Sequence, residues 1–307
     1  MHYSFDNIAA FVQVVESGSI SAAALKLNLA KSVVSKRIAD LEAELGVELL
    51  HRSTRGITAT DKGIAFHKRA REIMRELDQA ADEITDRGDD LCGQIRITAP
   101  MSFGTMYLGP LLFPFLSRHP RLEVALNLDD RRVDILGEGY DLAIRITRLR
   151  DSSLVARKLA PSRRIVCCSP DYAKQSGRPE TIEDISRHSC IGYANTHSSQ
   201  LWQFEPAQPG GEPRSLVIRS RIVANNGEAM RDAAIAGLGL AVLPVFIVAK
   251  ALANGELINA VPEARPVDDT IYAIYPRTRH VSQKVRLIID HFVQALADPP
   301  WESELAQ

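Results

Sequence analysis

Residues 31–37 read Lys-Ser-Val-Val-Ser-Lys-Arg. Cations, hydroxyls and a small apolar group at this density on one helix can hold phosphates and read base edges. The candidates are Lys31, Ser32, Val33, Ser35, Lys36 and Arg37. Arg52 and Arg55 join them in the run 49–60, where two short strand-like pieces flank a tip holding Gly56. Two arginines on such a tip would reach backbone phosphates, which position a domain without specifying sequence. Local charge agrees. Residues 26–71 carry ten basic against five acidic side chains, while the whole chain has a net charge of -1. Such asymmetry marks a polyanion-binding module. A solvated helical face would give the same charge count, so the surrounding pattern has to decide.

A second group lies at Pro100-Met101-Ser102-Phe103-Gly104, where a strand runs into a helix. Backbone N–H groups at a helix start, with the Ser102 hydroxyl, suit a carboxylate or other anion, and they also make an ordinary helix cap. Arg145 closes a strand, where its guanidinium either grips an anion bidentately or pairs with a neighbouring aspartate. Asn225 and Asn226 open a helix, as N-caps or as ligand contacts.

Other chemistries are missing. There is no GxSxG, HExxH or P-loop spacing. The eight histidines do not cluster with cysteines or carboxylates at ligand spacing, so no metal or cofactor is expected and the chain is not read as an enzyme. Gly237-Leu238-Gly239 follows a helix-like run and lacks a third glycine, which excludes a dinucleotide-binding role. Cys92, Cys167, Cys168 and Cys190 make no paired CxxC spacing and read as buried thiols in a reducing cytosol. Cys167 and Cys168 are strand neighbours facing opposite ways, so a redox pair would need Cys190 to reach one of them. The longest apolar stretch, 237–249, contains Pro244 and falls short of the roughly 20 residues a bilayer helix needs. Asp6 stands where an export signal would carry Lys or Arg, so a cytoplasmic location without a membrane is expected.

Several elements must position these residues. The length of 307 suggests about two domains. Ile8, Phe11, Val12 and Val15 recur at helical spacing over 6–17, and Gly18 ends that helix. Ser19 or Ser21 caps a second short helix. A tight connection at 28–30 leads to a third helix over 32–45, with Val34, Ile38, Leu41 and Leu45 inward and Gly46 at its end. Two helices joined by a three-residue turn, the second basic at its start, describe a helix-turn-helix. The Arg52/Arg55 hairpin then reads as a wing. From Thr60 a long helix runs to about residue 87. Phe66, Ala70, Ile73, Leu77, Ala80 and Ile84 step by four and three along it, an a/d seam for dimerisation through Phe66, Ile73, Leu77 and Ile84.

This combination resembles the LysR-type transcriptional regulators. The resemblance rests on Phe11, Glu16-x-Gly18-Ser19, Ala22-Ala23, Leu27, Val34-Ser35, Ile38, Leu41-Glu42-x-x-Leu45-Gly46, Leu49-Leu50-x-Arg52, Thr60 and Gly63. It continues weakly, in order, to about residue 297. Ala30 and Ser32 depart from the Ser and Pro frequent in the family, which bears on helix initiation and base preference. The resemblance implies a sequence-specific regulator that binds double-stranded DNA under control of a small-molecule effector. It further implies a homodimer or homotetramer, with RNA polymerase as a further partner. It places Ser102 at a hydroxyl that often touches effector, and the stretch from Asn225 to Gly239 on the crevice from the second lobe.

The expected architecture is α/β. Residues 1–60 form a winged helix-turn-helix and 61–88 a linker and dimerisation helix. Residues 92–297 form a periplasmic-binding-protein-like domain, with lobe I about 92–161 and 267–297 and lobe II about 162–266. Strands are expected at 94–98, 122–128 and 141–146 in a parallel sheet, with helices at 103–117 and 132–138. Lobe II strands are expected at 164–169, 190–194, 216–223 and 239–243, between helices at 171–176, 226–236 and 245–253. A strand at 271–275 returns to lobe I before a helix at 281–296. Ligands in such sheets sit beyond the strand C-terminal ends. The effector contacts are then Pro100, Ser102, Phe103, Arg145, Asn225 and Asn226, and the ligand an organic anion. Two other readings stay open. The C-terminal domain could serve oligomerisation or redox sensing without an inducer, or the chain could be a small-molecule-binding α/β protein without DNA affinity.

Overall fold

The structure is a computed structural model that describes residues 4–53, 56–85, 91–131, 133–148, 154–195, 200–206, 211–277 and 281–305. The chain divides into two compact units, residues 1–88 with 136–139, and the remainder.

In the first unit, α1 (Phe5–Ser17) buries Ala10, Phe11, Val12 and Val14 and stops at Gly18, whose φ of 63° is the left-handed conformation of a helix end. The Ser19 hydroxyl accepts from the Ala22 amide at 3.4 Å and caps α2 (Ile20–Lys26). Asn28, at φ 52°, makes the tight connection to α3 (Lys31–Leu45). Ala30 offers α3 no side-chain cap, as its apolar side chain dictates. Val34, Ile38 and Leu41 are fully buried against α1, forming one core with Phe11 and Leu49. Strands β1 (Leu50–Ser53) and β2 (Gly56–Ala59) pair antiparallel as the wing. The Glu42 carboxylate accepts from the Leu49 and Leu50 amides at 2.8 and 3.1 Å, so α3 holds the wing's base. Thr60 caps α4 (Asp61–Thr85), its hydroxyl accepting from the Gly63 amide at 2.9 Å. A Cβ at Gly63 would collide with the Leu49 carbonyl, so only glycine lets α4 start there.

The second unit runs β3 (Cys92–Ala99), α5 (Met101–Phe103), a π-helical turn (Gly104–Leu108), α6 (Gly109–Arg118), β4 (Arg121–Leu128), β5 (Leu142–Thr147) and β6 (Leu154–Ser162). It continues with β7 (Arg164–Cys168), α7 (Pro170–Ser176), β8 (Ser189–Tyr193), β9 (Leu201–Phe204), β10 (Arg214–Val217), β11 (Arg219–Ala224), α8 (Gly227–Ile235), β12 (Leu240–Pro244) and α9 (Val245–Ala253). It ends with β13 (Ile258–Asn259), β14 (Asp269–Pro276), α10 (Gln283–Ala295) and α11 (Pro300–Leu305). One sheet has the order β4-β3-β5-β14-β6, the other β11-β8-β12-β7-β13. Each is the centre of a lobe, and the chain crosses between them from β6 to β7 and from β13 to β14.

Three expectations need correction. The sheets are mixed: β4-β3-β5 and β11-β8-β12 are parallel, but β14 runs antiparallel to β5 and β6, and β7 antiparallel to β12 and β13. Returning strands need no crossover helix, so they insert in the opposite sense. Second, no helix forms over the described part of 132–138; residues 135–139 are a turn, closed by Gly139 at φ 69°. Third, the single strand expected at 216–223 is two. β10 pairs with β9, β11 with β8, and the chain changes sheets at buried Ile218. With no Gly or Pro at the break, alternation reads straight through it. Beyond these, β6, β9, β13 and α11 were not among the expected elements.

Gly237 and Gly239 have φ of 74° and 149°. A Cβ at Gly239 would collide with the Ser189 carbonyl, so the glycines serve the turn from α8 into β12. A ring cluster completes the core: Trp301 of α11 is fully buried with centroids 4.7 Å from Tyr107, 5.8 Å from Phe246 and 6.1 Å from Phe103. The Tyr107 hydroxyl donates to the Phe246 carbonyl at 2.9 Å. No single described helix is long and apolar enough to cross a membrane.

Candidate functional site

The first half of α3 presents its outer face. Lys31, Ser32, Val33 and Lys36 are exposed, while Ser35 and Arg37 are half-buried. No acidic residue lies in the first turn of α3, so its positive helix end, Lys31 and Lys36 add in one direction. Arg37 is engaged within the unit: its Nη2 donates to Asp6 Oδ2 at 2.6 Å, tying α3 to the start of α1. Arg52 falls in β1 opposite Ile57. Its side chain and all of Arg55 lie outside the described residues.

The α4 stripe is not one seam. Phe66 lies 5.6 Å from the Phe11 ring and Ala70 is buried in the core of the head. Phe66, partly buried, therefore packs on the core of its own unit. The next positions diverge from it: Ile73 is 61% and Leu77 51% exposed. The Ile84 side chain lies outside the described residues. His67, beside Phe66, is held below its ordinary pKa by burial first and by Arg71 second, with Glu16 opposing them.

In the second unit, the C-terminal ends of the parallel strands of the two lobes face each other, and the crevice expected there lies where Asn226 reaches Ser102. From lobe I come Ser102 after β3, Asp129 and Asp130 after β4, and Arg145 near the end of β5. From lobe II come Tyr193 at the end of β8, and Asn195, Asn225 and Asn226 beyond β8 and β11. Pro100 is the N-cap position of α5, and Ser102 is buried. Asn226 caps α8, its Oδ1 accepting from the Ala229 amide at 2.9 Å, and its Nδ2 donates to Ser102 Oγ of lobe I at 3.4 Å. Asn195 Nδ2 donates to the Asn225 carbonyl at 3.1 Å and to the Tyr193 hydroxyl at 3.4 Å. Arg145 donates to the Asp129 carbonyl at 3.4 Å and the Thr98 hydroxyl at 3.5 Å, while the Asp129 carboxylate is taken by Arg131 at 2.6 Å.

Phe103 is a correction. It is fully buried beside Tyr107, Phe246 and Trp301, because the helical turn that brings Ser102 to the crevice rotates the next side chain inward. Asp130, Tyr193 and Asn195 join this group of strand-end residues, and the sequence reading did not single them out. All three lie at or just after strand C-termini, a positional signal that could have found them.

The thiols make no redox pair. Strand β12 separates Cys167 and Cys168 on β7 from Cys190 on β8. Burial pushes Cys168 up to about 11 and Cys190 up to about 12, and raises Cys167 further. Among the described residues, no group of three or more His, Cys, Asp or Glu side chains could hold a metal ion.

Residues 5–64 match the profile of the bacterial regulatory helix-turn-helix proteins of the lysR family, and residues 88–297 that of the LysR substrate binding domain. The chain is 36% identical over 278 residues to an HTH-type transcriptional regulator of Haemophilus influenzae, covering 91% of this chain and 96% of that protein. It is 34% identical over 302 residues to the HTH-type transcriptional regulator PtxR of Pseudomonas aeruginosa, covering 98% and 95%. The solved structure of CrgA, a LysR-type transcriptional regulator from Neisseria meningitidis, matches with a TM-score of 0.61 at 32% identity, covering 97% of this chain and 100% of that one.

Proposed function

The chain belongs to the LysR family of transcriptional regulators, with a helix-turn-helix DNA-binding head and an effector-binding domain, and from that premise we propose how its own residues divide the work. The first turns of α3 enter the major groove, where Lys31 and Lys36 hold phosphate or guanine and Ser32, Val33 and Ser35 face base edges. Arg37 braces α3 through Asp6 and adds its charge at the groove edge. Arg52 and Arg55 take backbone phosphates from the wing. A second copy covers Ile73, Leu77 and Ile84, and Phe66 anchors α4 to its own head. Two heads on such a dimer read half-sites related by a two-fold axis. Dimers pair into tetramers, and RNA polymerase is the further partner.

An effector binds between the lobes against Ser102, Arg145, Asn225 and Asn226, with Pro100 setting the start of α5. Closure around it is a hinge motion that changes which arrangement of the heads is favoured. The protein works in the cytoplasm, without a membrane, a cofactor or catalysis.

The observation that carries this reading is the exposed Lys31, Ser32, Val33 and Lys36 at an uncapped, acid-free start of α3. The test is selection of bound duplexes from random DNA at a stated near-physiological salt, which separates specific affinity from the phosphate contribution. A two-fold-related motif is expected. Changing Lys31, Lys36, Arg37 and Arg52 together to Ala should abolish binding while the protein stays folded. Unchanged binding by that variant refutes the assignment.

A further inference from the structure

The crevice holds a charge pair that narrows the chemistry of its ligand. Asp130, two residues beyond β4, places Oδ1 2.8 Å from the Met101 amide. The first free N–H of the helix start, the place an effector anion would occupy, is thus already taken by this chain's own carboxylate. The Tyr193 hydroxyl donates to the same carboxylate from lobe II, so Asp130 faces the crevice and not the lobe I core. Both donors are neutral. Burial is the main influence raising the Asp130 pKa, Asp129 adds to it, and the positive charge of Arg145 is the weakest of the opposing ones. A carboxylate in this setting gains from a cation that a ligand brings. A bare anion approaching Ser102 would meet it as a like charge.

Arg145 supplies the opposite pole of the crevice. It is close enough to Asp129 and Asp130 to lower both their pKa values. Around these two charges stand the neutral groups Ser102, Tyr193, Asn195 and Asn226.

We propose that the effector is a small zwitterion of the amino-acid class, its ammonium group received by Asp130 and its carboxylate by Arg145 and the Ser102 hydroxyl. The ammonium replaces the Tyr193 hydroxyl as the partner of Asp130, which exchanges a bond between the lobes for a ligand bridge. This inference rests on the family reading above, and it turns the expected organic anion into a molecule with two poles.

The test uses the full chain and, as probes, the proteinogenic L-amino acids other than proline, each beside its 2-hydroxy acid, which keeps the carboxylate and lacks the α-ammonium. Binding is read by calorimetry and by the shift in melting temperature. At least one amino acid should bind, with its 2-hydroxy acid at least tenfold weaker. Asp130→Asn keeps an acceptor for the Met101 amide and removes only the charge. It should weaken that amino acid roughly ten- to hundredfold, as loss of a charge-assisted bond predicts, and leave the hydroxy acid unchanged or tighter. The comparison between ligands needs no variant, so it stands even where Asp130→Asn fails to fold. Equal binding of the two ligand series, an unaffected Asp130→Asn, or no binding by any amino acid overturns the proposal. Selective DNA binding by the same preparation in those cases retains the regulator and removes only the zwitterion; its absence removes the regulator reading as well.

Discussion

Replacing Trp301 with Ala tests whether α11 is a structural part of the effector domain, although the family match ends at residue 297. The indole is fully buried, in edge contact with Tyr107 at 4.7 Å, and it also touches Phe246 and Phe103. It therefore joins the helix of lobe I to α9 of lobe II. Large aromatic residues cut to Ala in cores cost about 3–5 kcal/mol. One feature reduces that cost: Trp301 Nε1 is buried and has no hydrogen-bond partner among the described residues. Removing a buried unpaired donor returns roughly 1–2 kcal/mol, so the expected loss lies near the lower end, about 3 kcal/mol. In a domain of about 200 residues each kcal/mol moves the melting temperature by roughly 2–4 °C. Trp301→Ala should then lower it by about 6–12 °C in differential scanning calorimetry. Trp301→Phe keeps ring contacts and deletes the unpaired N–H, so it should lose less than half as much. Ending the chain at Asp298 should reproduce the Ala result, because it removes the same side chain and the Arg163–Glu302 ion pair. A drop below 2 °C for both Trp301→Ala and the shortened chain would refute the argument, leaving α11 an appendage.

Four further outcomes follow from particular residues. Lys36→Ala should lower DNA affinity across all sequences and reduce the salt slope by about one, as the loss of one phosphate contact requires; a slope unchanged within error would remove Lys36 from the interface. Ile73→Asp with Leu77→Asp should shift sedimentation equilibrium toward monomer and leave the head's core intact, since both side chains are exposed within one chain; an unaltered mass excludes α4 as the dimer seam. Of the four thiols, only Cys92 is exposed, so a thiol reagent at pH 7.5 should modify about one site per native chain and four after denaturation. Rapid native reaction of two would revive redox sensing. His67 has its folded pKa lowered from 6.5, so the unfolded chain takes up its proton first. The associated stability is complete above about pH 6.5 and is lost as pH falls toward the folded value. The melting temperature of the head should drop from pH 7 to pH 5 in the parent, with a shallower drop in His67→Gln.

Local pattern in the chain was enough to set its helices and their ends. Apolar residues three and four apart set α1, α3 and α4; Gly18, Gly46 and Thr60 marked their ends; and the basic start of α3 was legible because exposed polar faces need no distant partner. Positions of the strand ends, and so the neighbourhood of Ser102, Arg145 and Asn226, were legible for the same reason. Tertiary structure decided which partner each face meets. The stripe of α4 looks uniform in one dimension, yet Phe66 turns to Phe11 while Ile73 and Leu77 stay open. Phe103 and Ser102 are sequence neighbours, but one helical step sends the first into the aromatic core and the second to the crevice. Arg37 finds Asp6, and Asp130 finds Tyr193, through folding that brings distant segments together. Periodicity states which side of an element is apolar; it carries no information about what lies opposite. The charge balance of the crevice, and with it the kind of molecule that fits, exists only once the strand ends of two lobes face each other.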